Sequence, residues 1–99
     1  MAYEVVWSPR AIDDVQAIAA YISIDSTAYA AAVVRKILTA TRNLSHFPFS
    51  GRVVPEFDDE SLREQFAYSY RIIYRIQDQT VMIAAVIHGK QLLELEMQP

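Results

Sequence analysis

The sequence predicts an α+β fold: an N-terminal strand, a helical hairpin and a three-stranded antiparallel meander form one sheet with the helices packed on one face. Apolar residues recur at three-to-four spacing in the first half of the chain, and they alternate with a period of two after Leu62. Proline and glycine separate the two patterns. At 99 residues the chain is expected to be a single domain covering 1–99, because this length supports one core.

A short strand is predicted at the start, followed directly by a helix. Tyr3, Val5 and Trp7 alternate with their neighbours and are β-branched or aromatic. Ser8 is suited to cap the first free N–H groups of a helix, and Pro9 loses no hydrogen bond at the first helical position. The apolar stripe of this helix consists of Ile12, Val15, Ile18, Ala19 and Ile22.

A second helix is predicted after Asp25 and Ser26, which form a break and a cap. Its apolar face holds Val33, Val34, Ile37, Leu38 and Leu44. Pro48 is expected to end the helix at Phe47, since proline cannot continue it. The following segment, 49–59, combines glycine, proline and several carboxylates, and this composition predicts a surface loop.

Three antiparallel strands are predicted from Leu62 onward, with Asp78 and Gln79 as the tight connection into the last of them. The segment 81–87 is apolar on both faces, which is typical of a strand covered on both sides. The tail 92–97 is apolar apart from two glutamates, and it predicts a further short strand or helix.

Composition argues against several classes of protein. Without cysteine the chain has no disulfide and no thiolate metal site, and we expect no metal and no cofactor. The start lacks the pattern of a signal peptide, and no apolar run approaches the ~20 residues of a membrane span, so a cytoplasmic protein is expected. The net charge of −3 disfavours nucleic-acid binding, and no direct DNA binding is expected.

No nucleophile, phosphate-loop or zinc motif is present, but basic residues gather on the predicted sheet. Arg71 and Arg75 lie four apart on one strand and point to the same face, where they could clamp a phosphate, while His88 could exchange protons. The catalytic candidates, if the protein is a nuclease, are Arg71, Arg75, His88 and Lys90. The target-binding candidates are Arg52, Arg63, Arg71, Arg75, His88 and Lys90.

Each of these chemical interpretations has a structural alternative. The arginines could pair with Glu64, Glu56 or Asp78 across the strands. The tyrosines Tyr68, Tyr70 and Tyr74 could stack on bases, yet Tyr70 and Tyr74 share a face with Ile72 and Ile76, which favours the core.

The order and spacing of several segments resemble the RelE/ParE toxin superfamily over essentially the whole chain. The matching residues are Trp7, Ser8, Pro9, Arg10, Ala11 and Asp14, then Phe47 and Pro48, then 51–56, 69–75 and 86–90. The resemblance implies a toxin of a type II toxin–antitoxin system, with growth inhibition and plasmid stabilisation as its effects. It also implies a cognate, ParD-like antitoxin.

Two branches of the superfamily differ in activity. RelE-like members cut messenger RNA on the ribosome, whereas ParE-like members are associated with poisoning DNA gyrase. The RelE-like branch carries lysines where this chain has Leu62 and Glu64, and an arginine and a tyrosine where it has Gln91 and about Met97, while Arg71 is kept. The resemblance therefore favours a ParE-like gyrase inhibitor that is not an enzyme, with a ribosome-dependent mRNA endonuclease as the alternative.

A third reading is a member that only binds its antitoxin. In every case the resemblance implies that a C-terminal segment of the antitoxin lies along the toxin as an amphipathic helix or an added strand. The antitoxin-binding candidates are Val15, Ala19, Val34 and Leu93, which we expect to be partly exposed in the isolated chain.

Overall fold

The computed structural model describes residues 2–91. Its elements, in chain order, are β1 (Glu4–Trp7), α1 (Pro9–Ser23), α2 (Thr27–Asn43), β2 (Arg52–Val53), β3 (Leu62–Ala67), β4 (Tyr70–Gln77) and β5 (Thr80–His88). The predicted strand, helical hairpin and antiparallel meander are confirmed. The predicted tail element at 92–97 lies outside the described residues.

All five strands form one mixed sheet in the order β1-β5-β4-β3-β2. β1 runs parallel to β5, and the other neighbours are antiparallel. The prediction of a plain loop at 49–59 was wrong for its first part, because Arg52 and Val53 pair with Glu64 and Arg63 and form β2. A strand of two residues has no periodicity that a sequence pattern could reveal.

Both predicted helix caps are present. The Ala11 N–H donates to Ser8 Oγ over 3.0 Å, and the Tyr29 N–H donates to Ser26 Oγ over 3.0 Å. The second helix ends at Asn43, earlier than the predicted Phe47. Its end tightens there, since the N–H of Leu44 donates to the carbonyl three residues before it.

The free edge of β5 is tied to α1 where β1 stops pairing. The Ser8 N–H donates to the Ile83 carbonyl, and Ser8 Oγ donates to the Ala84 carbonyl over 3.0 Å. Asp14 Oδ2 accepts the Val86 N–H over 2.9 Å. A register shift leaves Ala84 without a partner residue in β4, as in a β-bulge. Ser8, the N-cap of α1, and Asp14 of α1 therefore take the place of the missing neighbouring strand.

The two faces of the sheet carry separate hydrophobic clusters. The helix-side cluster includes Ala11, Val33, Ile37, Ile72, Tyr74 and Ile83, with Tyr70 and Ile76 packed against it. The opposite cluster consists of Val54, Leu62, Ile73, Ala85 and Ile87, with Phe57 packed against it. The last strand is thus covered on both sides, and the core interpretation of Tyr70 and Tyr74 is confirmed.

Within residues 2–91, no helix has both the length and the apolar character that spanning a membrane requires.

Candidate functional site

A buried group of ion pairs surrounds Arg71 on the sheet face that points away from the helices. The Arg71 residue is 4% exposed and Glu64 is 1% exposed. Arg71 Nε donates to Glu64 Oε1 over 2.7 Å, and its two terminal nitrogens each donate to one oxygen of Glu56 over 2.8 Å. Arg52 Nε donates to the other Glu64 oxygen over 2.5 Å. Two arginines and two carboxylates therefore form one cluster, which we call the Arg71 cluster.

The register of the sheet brings these side chains together. Glu64 lies opposite Ile73 on β4 and opposite Arg52 on β2, so it is diagonal to Arg71 and faces Arg52 directly. Glu56 belongs to the loop after β2, and the fully buried Val54 holds this loop on the sheet. The cluster is therefore part of the sheet.

Every nitrogen of the Arg71 guanidinium is engaged. Arg71 Nη2 also lies 2.6 Å from Glu64 Oε1, and Nη1 donates to the Gln91 carbonyl over 3.0 Å. The hydrogen bonds to Glu56 raise the pKa of Arg71, an effect that burial opposes and Glu64 supports. Arg71 is consequently a permanent cation, and an incoming phosphate would first have to displace Glu56.

Arg75 shares the face of Arg71 but holds different partners. Its Nη1 lies 3.5 Å from Asp59 Oδ2 and 3.1 Å from Ser61 Oγ. Hydrogen bonds from the hydroxyl and the N–H of Ser61 lower the pKa of Asp59, and Arg75 adds to this effect. The cross-strand pairs with Glu64 and Glu56 are present for Arg71, whereas Arg75 pairs with Asp59 and not with Asp78. The predicted two-arginine phosphate clamp is replaced by two separate ion pairs.

The remaining basic candidates lie elsewhere. Arg63 is opposite Tyr74, on the helix side of the sheet; its guanidinium donates to the Gly51 and Glu60 carbonyls and lies 5.0 Å from the Phe49 ring centroid.

His88 and Lys90 are exposed at the end of β5. The His88 ring is 5.8 Å from that of Tyr70, and its Nδ1 accepts the Lys90 N–H over 3.3 Å. The target-binding candidates do not converge on one site. Among the described ion pairs of these six residues, Arg52 and Arg71 are the two that contact the same carboxylate, that of Glu64.

A groove of about 570 Å³ runs along the outer side of the helical hairpin. Ala19 and Val34 line it together with Leu38, and both are half-buried. Val15 is also half-buried but packs against the helix-side core. The role of these residues in antitoxin binding stays a prediction, and Leu93 lies outside the described residues.

A buried hydrogen-bond bridge was not foreseen from the sequence. Tyr74 Oη donates to the Pro48 carbonyl over 2.7 Å and accepts the Gly51 N–H over 3.0 Å. A side chain at Gly51 would collide with the Glu64 carbonyl and the Tyr74 hydroxyl. The closely spaced Pro48 and Gly51 were the available signal for a tightly packed corner at this point.

No group of three or more His, Asp or Glu side chains in the part of the chain that the structure describes could hold a metal ion.

The family model described as the ParE toxin of the type II toxin–antitoxin system parDE matches residues 5–93. No curated protein matches the sequence significantly.

Solved structures agree with this match. A chain of the chromosomal ParDE toxin–antitoxin system from P. aeruginosa has a TM-score of 0.73 at 16% identity, with 90% of this chain and 98% of that chain covered. A chain of the RelBE2 toxin–antitoxin complex from Mycobacterium tuberculosis has a TM-score of 0.61 at 26% identity, covering 89% and 92%. A mutant of the E. coli toxin RelE in the free state gives 0.64 at 18% identity, covering 91% and 86%. The family model covers most of the sequence, and the chain therefore belongs to the ParE toxin family of type II toxin–antitoxin systems.

Proposed function

We propose that this toxin binds DNA gyrase and inhibits it without making or breaking a bond itself, and that a ParD-like antitoxin neutralises it. Membership of the ParE family supports the gyrase target. The closed ion-pair cluster of Arg71 is the main observation that argues against RNA cleavage.

Metal-free cleavage of RNA needs a base for the 2′-hydroxyl, an acid for the leaving oxygen and a cation that reaches the phosphate. Arg71 is the strand arginine that the nuclease branch keeps, and here it is buried with its nitrogens occupied. His88 lies on the other face of the sheet, opposite Tyr70. These groups do not surround a common point where a phosphate could react.

The two positions where the nuclease branch has lysines also oppose RNA binding. Leu62 is part of the buried apolar cluster on this face, and the Glu64 side chain is a fully buried carboxylate paired with two arginines. Neither residue offers a positive charge to a phosphate, so binding of a polyanion to this face is disfavoured.

The groove on the helical hairpin supports the antitoxin as a partner. Its lining combines small apolar side chains with the cations Arg35 and Arg42. A groove of this kind suits an amphipathic helix with apolar anchors and acidic flanks. Ala19 and Val34 would lie beneath such a helix, with Val15 close by.

Purified toxin tested in two parallel reactions distinguishes the candidate functions. In the first, gyrase supercoils relaxed plasmid with increasing toxin; in the second, a reconstituted translation reaction is followed by primer extension on the message. We expect supercoiling to fail at low micromolar toxin and the message to stay intact, with equimolar antitoxin restoring supercoiling. Codon-phased cuts with normal supercoiling would overturn the proposal in favour of the endonuclease, and no effect in either reaction would favour a protein that only binds its antitoxin.

A further inference from the structure

The Arg71 guanidinium joins three segments of the chain that are distant in sequence. Glu64 belongs to β3, Glu56 to the loop after β2 (54–61), and Gln91 to the turn after β5 (89–91). The loop contributes a carboxylate, whereas the turn contributes the main-chain carbonyl of Gln91. One side chain therefore contacts a strand, a loop and the end of the described chain.

All N–H donors of this guanidinium have acceptors. An arginine side chain offers five such donors in a fixed plane. Nε and Nη2 contact Glu64 Oε1 at 2.7 and 2.6 Å, and Nη1 and Nη2 contact the two Glu56 oxygens at 2.8 Å each. Nη1 also donates to the Gln91 carbonyl over 3.0 Å. No donor is left over that could take a new partner when one of these contacts is lost.

A single nitrogen, Nη1, bonds both the loop and the turn. Its two hydrogens are divided between Glu56 Oε2 and the Gln91 carbonyl. Because the guanidinium is planar and rigid, it cannot follow one of these acceptors without moving away from the other. Arg71 is 4% exposed, so the loss of either acceptor weakens the compensation of a buried charge. The positions of the loop and the turn are thus linked through one side chain.

The exposures indicate which contacts can be released. The Glu64 side chain is 0% exposed, whereas that of Glu56 is 20% exposed and Gln91 lies at the surface. Water or a partner can reach the acceptors of the loop and the turn, but not the carboxylate of β3. Release therefore begins at Glu56 or Gln91 and leaves Arg71 paired with Glu64.

Local hydrogen bonds shape each segment by itself. The N–H groups of Phe57 and Asp58 donate to the Val54 carbonyl inside the loop, and the Gln91 N–H donates to the His88 carbonyl inside the turn. These bonds do not connect one segment to the other. The amides of Phe57, Asp58 and Gln91 are therefore local reporters of the two segments.

We propose that Arg71 couples the turn after β5 to the loop after β2, so that drawing one of them away from the sheet loosens the other. A partner protein that engages the chain at or beyond Gln91 thereby changes the loop without contacting it. Such a coupling is reciprocal, so a partner that displaces Glu56 loosens the turn in the same way. The device consists of contacts within this chain and does not depend on gyrase being the target.

Hydrogen exchange in the full-length, ¹⁵N-labelled toxin tests this coupling. Glu56→Gln removes the charge of the loop carboxylate with little change in size. We expect it to speed exchange at the Gln91 amide about threefold or more, because Nη1 loses its ionic acceptor and the guanidinium is freed to move. Unchanged exchange at Gln91 would overturn the proposal.

Asp59→Asn is the matched control for the loop. Asp59 lies in the same loop as Glu56 and pairs with Arg75. Its substitution removes the same charge without touching Arg71, and we expect exchange at Gln91 to change less than about 1.5-fold. An effect as large as that of Glu56→Gln would show that Gln91 responds to any loosening of the loop, and it would contradict a route through Arg71.

Gly89→Ala perturbs the coupling from the other side. A Cβ atom at Gly89 would lie 2.9 Å from the Ser69 carbonyl oxygen, so the turn has to shift. We expect the Phe57 amide to exchange about threefold or more faster, while Lys90→Ala, at an exposed position of the same turn, leaves it unchanged. Unchanged exchange at Phe57 in the Gly89 variant, or an equal effect of Lys90→Ala, would overturn the proposal.

The double variant Glu56→Gln, Gly89→Ala separates a shared route from two independent ones. Either substitution alone releases the same nitrogen of Arg71, so we expect their effects on exchange at Phe57 and Gln91 not to multiply. Effects that combine as for independent sites would contradict coupling through one guanidinium.

Discussion

At the scale of single residues, the Arg71 guanidinium is held between a fully buried carboxylate and one that is partly exposed. The Glu64 side chain is 0% exposed and that of Glu56 is 20% exposed. A buried pair of this kind contributes little net stability compared with apolar residues, but losing one partner leaves the other charge buried without compensation. The geometry therefore makes Arg71 a structural residue of the sheet face.

Replacing Arg71 by leucine tests this role. We expect Arg71→Leu to lower the free energy of unfolding by about 3–5 kcal/mol, because Glu64 would lose its buried partner. Urea denaturation of purified protein measures the change. Arg52→Ala is the control: its side chain is 61% exposed, and the expected loss is about 1 kcal/mol or less. Equal stability of the two variants would show that Arg71 is not needed to compensate Glu64.

The Tyr74 hydroxyl supports a second residue-scale prediction. Burial raises the pKa of Tyr74 above its ordinary value of 10.0, while the Gly51 N–H and Arg63 oppose this rise. A folded-state pKa above the unfolded one stabilises the protein below about pH 10, and this contribution is lost as the pH rises through the folded-state value.

Tyr74→Phe should therefore cost about 1–3 kcal/mol at neutral pH, since the buried Gly51 N–H and Pro48 carbonyl lose their partner. The decline of stability above pH 10 should also become less steep. Denaturation curves across the alkaline range check both effects. An unchanged alkaline decline in the variant would rule out Tyr74 as its source.

The ion pairs of Arg71 illustrate how far sequence reasoning reaches at this scale. The pairing of Arg71 with Glu64 was one of the cross-strand alternatives that the sequence predicted, and the register of β3 and β4 brings it about. The two-point contact with Glu56 could not be predicted, because it depends on the path of a loop that is anchored by the buried Val54. The pairing of Arg75 with Asp59 instead of Asp78 could not be predicted for the same reason, because the path of the loop determines which carboxylate Arg75 meets.

At the scale of elements, α1 stabilises the part of β5 that lacks a neighbouring strand. β1 pairs with β5 through Ile83 and no further. Beyond that point Ser8 and Asp14 bond the main chain of β5, at the Ala84 carbonyl and the Val86 N–H. An uncovered strand edge leaves main-chain groups without partners, and here two polar side chains of the helix start supply them.

Asp14→Ala should lower the free energy of unfolding by about 1–3 kcal/mol and speed hydrogen exchange at the Val86 amide. The neighbouring Asp13 is exposed, so Asp13→Ala is a control that removes the same charge from the adjacent position of the helix. We expect it to change stability by less than about 0.5 kcal/mol. Unchanged exchange at Val86 in the Asp14 variant would contradict the bond between α1 and β5.

The helices and the longer strands could be predicted because each has a clear hydrophobic period and a capping or turn signal. β2 was missed because a two-residue strand next to glycine and before proline has no period of its own. The irregularity at Ala84 was missed because it arises from pairing between strands and leaves no mark in the alternation of β5.

At the scale of the whole molecule, the toxin combines an open groove on the helical hairpin with a closed sheet face on the other side. The hairpin groove is rich in alanine and is lined by Arg35 and Arg42. The sheet face opposite the helices is closed by Val54, Phe57 and the Arg71 cluster. This arrangement suits a protein that acts through contacts with other proteins.

The fold followed from the sequence because the whole chain is organised by two hydrophobic periods. The choice of target did not follow in the same way, because whether Arg71 can reach a phosphate depends on its burial and its partners. In the folded protein Arg71 is buried and binds Glu56.

Induced expression in bacteria, read for both plasmid topology and message ends, is the most direct test of whether the toxin inhibits gyrase without cutting RNA. A gyrase inhibitor with a structural Arg71 predicts relaxed plasmid or trapped DNA breaks while translated messages keep intact ends. Codon-phased message cuts with normally supercoiled plasmid would contradict the claim and would require the Arg71 cluster to open on the ribosome.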